Sequence, residues 1–138
     1  MVGCSQAGIT DAALQHLRGI HTLDISHCSQ LTDAAFGHLR GVHTLRMRSC
    51  EGITDAAFQH LRGIHTLDMS CNEQAGITGA ALAPLRGIHS LNMKCCGGIN
   101  DAAFEHLRGI HTLDMGWCSQ ITEAALVHLR NIHTLSQL

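Results

Sequence analysis

Read as apolar and polar positions, this chain is one short phrase written six times. The third copy, Ile53-Thr-Asp-Ala-Ala-Phe-Gln-His-Leu-Arg-Gly-Ile-His-Thr-Leu-Asp-Met-Ser-Cys-Asn72, shows the pattern in full. Its opening apolar residue recurs at Ile9, Leu31, Ile53, Ile77, Ile99 and Ile121, giving steps of 22, 22, 24, 22 and 22 residues. Two periodicities alternate inside each copy. Ala57, Phe58 and Leu61 stand at helical spacing, the buried stripe of a short helix. The alternation Leu67-x-Met69 has the period of a strand, with these two side chains inward and their neighbours outward. A small unit repeated at such a period cannot bury its apolar face alone, so copies stack into a solenoid.

Polar punctuation sets the element boundaries. Thr10, Thr32, Thr54, Thr78, Asn100 and Thr122 are good N-cap residues. They predict helices near 11–18, 33–40, 55–62, 79–86, 101–108 and 123–130. Gly19, Gly41, Gly63, Gly87, Gly109 and Asn131 follow, and these residue types accept the left-handed conformation that stops a helix. Strands near 20–26, 42–48, 64–70, 88–94, 110–116 and 132–138 all run the same way, so they must pair in parallel. The expected class is α/β, with one parallel sheet on the concave side and short helices on the convex side. Pro84 falls inside the fourth helix, where it removes a hydrogen bond, so that helix is expected to be short or distorted. Gly79 stands where the other copies carry an acid. Residues 1–138 read as a single domain of about five to six repeats, uncapped at both ends. Met1 aligns with Met69, and Gln137 takes that same core position at the other end. The chain is then either a piece of a longer protein or one whose open ends associate.

The motif Ile-Thr-Asp-x-x-(Leu/Phe)-x-x-Leu, followed by Leu-x-(Met/Ile)-x-x-Cys, resembles the cysteine-containing subfamily of leucine-rich repeats. That subfamily is familiar from F-box/leucine-rich-repeat proteins, the substrate receptors of cullin–RING ubiquitin ligases. The resemblance covers essentially the whole chain and implies a leucine-rich-repeat solenoid, a horseshoe segment. It also implies that Cys4, Cys28, Cys50, Asn72, Cys96 and Cys118 form a structural ladder satisfying backbone groups where each strand turns away. This repeat is shorter than the subfamily's usual one, Asn72 replaces a ladder Cys, and no F-box segment is present. Only the ligand-binding half of the receptor role therefore carries over. The copies are unusually alike: His-Leu-Arg-Gly-Ile-His-Thr-Leu-Asp stands at 16–24, 60–68 and 106–114. Such regularity fits recent duplication or a regularised, engineered sequence.

Composition narrows the function classes. A net charge of −2 argues against a nucleic-acid or anionic-membrane binder. No apolar run approaches the 18 or so residues that would span a bilayer. Six of the nine cations, Arg18, Arg40, Arg62, Arg86, Arg108 and Arg130, close helices. Asp11, Asp33, Asp55, Asp101 and Glu123 open them, as the helix dipole favours. The 7 cysteines are odd in number and mostly share one repeat position, which fits reduced thiols rather than a disulfide framework. With no secretory signal at residues 1–6, a cytoplasmic location is expected.

Three sets of side chains could carry chemistry. His21, His43, His65, His89, His111 and His133 form a column before the strands. It reads as a stacked, hydrogen-bonded structural feature, with shared zinc as the alternative. His16, His38, His60, His106 and His128 read as packing between helices, and charging so many imidazoles should lower stability in mild acid. Cys71 and Cys95 sit one residue before the ladder and are the more reactive thiols. The third set lies on the outward concave positions: Asp24, Ser26, His27, Arg46, Arg48, Asp68, Asn92, Lys94, Asp114 and Trp117. The cations not used at helix ends fall here, as does the sole Trp. Arg and Trp are favoured interface anchors, so Arg46, Arg48, Asp68, Lys94 and Trp117 are the candidate partner-binding residues. Alternatively, Asp24, Arg46 and Asp68 only neutralise one another, and Trp117 only covers the sheet edge. No catalytic constellation, cofactor motif or metal set is legible. The expected role is a protein-interaction module. The alternative is a structural scaffold or engineered repeat that self-associates end to end, with no evolved ligand.

Overall fold

A computed structural model describes residues 9–73, 76–130 and 132–136. Six strands form one parallel sheet in chain order: β1 (Thr22–Asp24), β2 (Thr44–Arg46), β3 (Thr66–Asp68), β4 (Ser90–Asn92), β5 (Thr112–Asp114) and β6 (Thr134–Ser136). The register repeats from rung to rung, Leu23 beside Leu45 beside Leu67 and onward to Leu135. Regular strand geometry covers 3 residues per repeat, fewer than the sequence implies. Backbone pairing continues past both ends, however. His43 N–H donates to His21 O, and His27 N–H donates to Arg48 O. The sheet therefore holds together over about the stretch that alternates.

The helical segments are 3-10 turns rather than α-helices: Asp33–His38, Asp55–Leu61, Gly79–Leu85, Asp101–Leu107 and Glu123–His128. Among the described residues only Asp11–Leu14 is α-helical, and it continues as a 3-10 turn over Gln15–Leu17. At about 2.0 Å rise per residue, a 3-10 segment spans more distance than an α-helix of the same length. A 22-residue repeat has few residues to cover its back, and the stretched form suits it. Pro84 does not shorten its segment, contrary to expectation. Gly79–Leu85 has the same 7-residue length as Asp55–Leu61 and Asp101–Leu107. Pro84 sits next to its end, where a missing N–H costs one weak 3-10 bond instead of breaking an α-helical ladder.

Thr32, Thr54, Thr78, Asn100 and Thr122 each accept a hydrogen bond from the N–H two residues on; Thr10 makes no such side-chain cap. Gly41 and Gly63, at φ 84° and 83°, occupy the left-handed stop position. Gly98 answers a different need, since a Cβ there would lie 2.3 Å from the Ile77 carbonyl oxygen. The core is a set of parallel columns between sheet and turns. Phe36, Phe58, Leu82 and Phe104 are fully buried, and Leu45, Met47, Leu67, Met69, Leu91 and Met93 face them. Each such side chain contributes about 1.5–3 kcal/mol on burial. Cys4, Asn131 and Gln137 lie outside the described residues.

Candidate functional site

The opposite, polar face of the sheet is built by alternation. Asp24, Arg46, Asp68, Asn92 and Asp114 close their strands at one register position. Four of these five side chains are committed to their own turns. Asp24 accepts from Ser26 N–H (3.0 Å), Asp68 from Ser70 N–H (3.1 Å), Asn92 from Lys94 N–H (3.1 Å) and Asp114 from Gly116 N–H (3.0 Å). These bonds hold the chain as it enters left-handed residues at His27, Ser49, Cys71, Cys95 and Trp117, with φ between 52° and 64°. A non-glycine residue rarely adopts that conformation, and here it recurs in five repeats.

Burial by itself pushes the Asp24 carboxyl up. The Ser26 hydroxyl and N–H, with Arg46 and His27 nearby, outweigh burial and hold it below the usual carboxylate value. Asp68 also accepts from the Ser70 hydroxyl at 2.6 Å and lies 4.0 Å from Arg48 Nε. Ser26 and Ser70, at outward positions in the alternation, are buried at 7% and 2% exposure. The turn folds over them, and Ser26 Oγ accepts from Arg48 N–H at 3.3 Å.

The candidate residues do not form one cluster. Asp24, Ser26, His27, Arg46, Arg48 and Asp68 line a shallow depression of about 460 Å³. Lys94 is half-buried on β4's turn, and Trp117 lies beyond β5. The three rungs between the Arg46 and Trp117 turns amount to about 14 Å. Trp117, 73% exposed, borders a separate apolar depression of about 760 Å³ with Met115, Ile121 and Leu126. Arg46 and Arg48 are exposed, and Arg46 is not tied to its own turn as its acidic neighbours are.

Beside the strands, the ladder side chains turn inward. Cys50, Cys96 and Cys118 thiols donate to the carbonyls of Ile25, Met69 and Met93 at 3.1, 3.2 and 3.0 Å. Cys28 is buried near the Ser26 carbonyl, at 3.9 Å. Asn72 serves both directions, donating to Met47 O and Met69 O and accepting from Cys50 N–H. Burial pushes the Cys96 thiol up to about 12, against the opposing pull of Asn72's backbone. Burial likewise raises Cys118.

The histidine column is stacked. Successive rings from His21 to His133 lie 4.4–4.5 Å apart and within 20° of parallel. His43, His65, His111 and His133 hold Nδ1 within 3.0–3.2 Å of the next residue's Thr hydroxyl. Stacked rings send their in-plane lone pairs along parallel lines, which do not converge on one ion at about 2.0–2.1 Å. Among the described residues, no group of three or more His, Cys, Asp or Glu side chains is placed to hold a metal. His38, His60 and His106 are half-buried between helical turns, their Nδ1 atoms without a hydrogen-bond partner among the described residues.

One arrangement escaped the sequence reading. Asp11, Asp33, Asp55 and Asp101 reach into the next repeat, where each accepts from both the N–H and the hydroxyl of Thr32, Thr54, Thr78 or Thr122 at 2.5–2.8 Å. The signal was present. At Gly79 the acid is missing, and in the following copy the Thr is missing too, replaced by Asn100. A Cβ on Gly79 would lie 3.0 Å from the Ala103 Cβ.

No family model matches this chain, and no curated protein does. Solved structures do. A chain in the crystal structure of the Rad7 and Elc1 complex from yeast superposes with a TM-score of 0.65 at 17% identity, over 83% of this chain and 31% of that one. The fold is of the leucine-rich-repeat type. A chain of the Toll–Spatzle complex from Drosophila aligns more loosely, with TM-score 0.47 and 12% identity over 88% of this chain and 24% of that one. The present chain thus spans under a third of either neighbour. In this chain that fold is a parallel sheet with one strand per repeat and a short helical turn behind it. No helix among the described residues is long and apolar enough to cross a membrane.

Proposed function

We propose that this chain is a protein-recognition module that binds its partner non-covalently on the concave face of a horseshoe segment. The observation that carries this reading is the depression around Arg46 and Arg48. Its acids are tied into turns while two guanidinium groups on adjacent outward positions remain exposed. Arg offers a planar fork of donors suited to a partner's carboxylates. Asp68 is a positioning residue in this scheme, because Ser70 and Arg48 already occupy its oxygens. Lys94 and Trp117 extend the surface along the sheet. The solved neighbour with TM-score 0.65 comes from a two-protein complex, which accords with recognition as the role. Membership of the cysteine-containing subfamily, and a link to ubiquitin-ligase substrate recognition, are part of the same proposal. Affinity capture with wild type and an Arg46→Ala/Arg48→Ala/Trp117→Ala variant tests it. A partner retained by wild type and lost from a variant of unchanged circular dichroism supports the reading. Equal retention by both refutes the assignment of this face.

A second reading rests on the apolar depression beside Trp117, which Leu126 also lines, and on the exposed Val127 next to Leu126 in the chain. End-to-end association would cover it, and the chain would then be a scaffold. Light scattering across a concentration series distinguishes the two. Mass that grows with concentration, and that reverts in Leu126→Ser/Val127→Ser, favours the scaffold.

A further inference from the structure

Among the described residues, two cysteines take no part in the buried ladder. Cys71 and Cys95 follow β3 and β4 by the same three residues, and Cys71 N–H donates to Lys94 O at 2.8 Å. Asp68 pairs with Asn92 in these strands, which sets the two cysteines on neighbouring rungs. Both hold left-handed backbone, φ 60° and 59°. Cys71 is exposed, Cys95 half-buried, and both are free thiols. Burial pushes the Cys95 thiol up, and the charge and hydrogen bond of Cys71 add to the effect, with Glu73 in the same direction and Lys94 opposing. The same backbone conformation on neighbouring rungs sets the two side chains next to each other in the row of turns. His27, Ser49 and Trp117 hold the same turn position in other repeats, so the paired thiols are a local departure from the repeat.

We propose that Cys71 and Cys95 form a dithiol site that exchanges with small-molecule disulfides and closes into a disulfide joining the third and fourth repeats. The exposed Cys71 thiolate attacks one sulfur of the incoming disulfide, making a mixed disulfide and releasing one thiolate. The Cys95 thiolate then attacks the Cys71 sulfur and displaces the second thiolate. Two electrons pass from the protein to the small disulfide, and the two protons given up by the cysteines end on the released thiols. Neighbouring rungs stand about 4.8 Å apart, within the Cα separation of roughly 4.4–6.8 Å that a disulfide accepts. Its Cβ separation of about 3.5–4.5 Å asks for a closure of a few tenths of an ångström, which a surface turn makes at low cost. The ladder thiols do not compete. Cys50, Cys96 and Cys118 are buried and donate to carbonyls, and the thiolate is the nucleophile.

The experiment treats reduced full-length protein with oxidised glutathione, alkylates the remaining thiols, and maps the peptides by mass. Wild type is expected to lose the alkylatable thiols at Cys71 and Cys95 and to gain one intramolecular crosslink between their peptides. Cleavage after Lys94 and Arg108 leaves Cys95 and Cys96 in one peptide, so single variants make the assignment. Cys95→Ser should stop at the glutathione adduct on Cys71, and Cys71→Ser should give no crosslink. Serine suits both positions because Ser49 already occupies this turn at φ 52°. Three results overturn the proposal: a persistent Cys71 adduct in wild type, a crosslink that survives Cys95→Ser, or oxidation that starts at the ladder.

Discussion

At the scale of single residues, Asn72 shows how one substitution changes a repeated structure. A ladder thiol gives one hydrogen bond to a carbonyl of the preceding repeat, as Cys96 does to Met69. Asn72 gives that bond to Met47 O at 3.0 Å and adds two more, to Met69 O at 2.7 Å and from Cys50 N–H at 2.7 Å. At 3% exposure it leaves no room for water to replace them. Asn72→Ala should therefore strand buried backbone groups and destabilise by about 2–4 kcal/mol, at about 1–3 kcal/mol for each group left unsatisfied. Asn72→Cys restores the bond to the preceding repeat and should lose only about 1 kcal/mol. Urea unfolding of both variants checks the pair. Equal losses would mean that side-chain volume, not hydrogen bonding, holds the ladder together at this rung.

At the scale of elements, the cross-repeat clamp explains why each helical turn begins as it does. Helix-dipole complementarity and a carboxylate grip on the next repeat both place an acid at the same position, so the sequence alone did not separate them. The structure does, because Asp55 bonds Thr78 in the following repeat at 2.7 and 2.5 Å. Asp55→Asn keeps the size and one acceptor oxygen but loses the charge. It should destabilise by about 1 kcal/mol, within the range for a charge-assisted bond near the surface. Glu123→Gln, with no following Thr in the described residues, should change little, and thermal melts of both variants make the comparison. An equal fall in both would return the acids to a helix-dipole role. Strand positions, glycine stops and five of the six caps were legible because each has a distinct local chemistry. The helix type was not. Over six or seven residues the stripe Ala57, Phe58 and Leu61 fits a 3-10 period about as well as an α-helical one. The Pro84 expectation failed for that same reason. The candidate patch was legible only as a row of outward positions. Which acids their own turns engage depends on backbone geometry that alternation does not encode.

At the scale of the whole molecule, the histidine column runs from His21 to His133, and His111 within it makes stability a function of pH. Burial lowers the pKa of His111 below its ordinary 6.5, and the rings of His89 and His133 lower it further. A lowered native value means that the unfolded chain takes up its proton first as pH falls. The contribution to stability is therefore intact above about 6.5 and is lost as pH drops through the native value. Charging neighbouring rings would also set like charges 4.4–4.5 Å apart along the stack. A second loss lies at lower pH. The hydroxyl and N–H of Thr122 hold the Asp101 carboxyl below its ordinary 3.8. Its contribution is present above that value and disappears as pH falls through the native one. The melting temperature should thus be nearly flat above about pH 7, fall between about pH 6.5 and 5, and fall again below about pH 4. Salt near 1 M should soften the first fall, because it screens the ring charges. His111→Gln should shrink that fall and leave the acid limb in place, whereas Asp101→Asn should do the reverse. A melting temperature unchanged from about pH 7 to 5 would show that packing against His89 and His133 does not oppose the charging of His111.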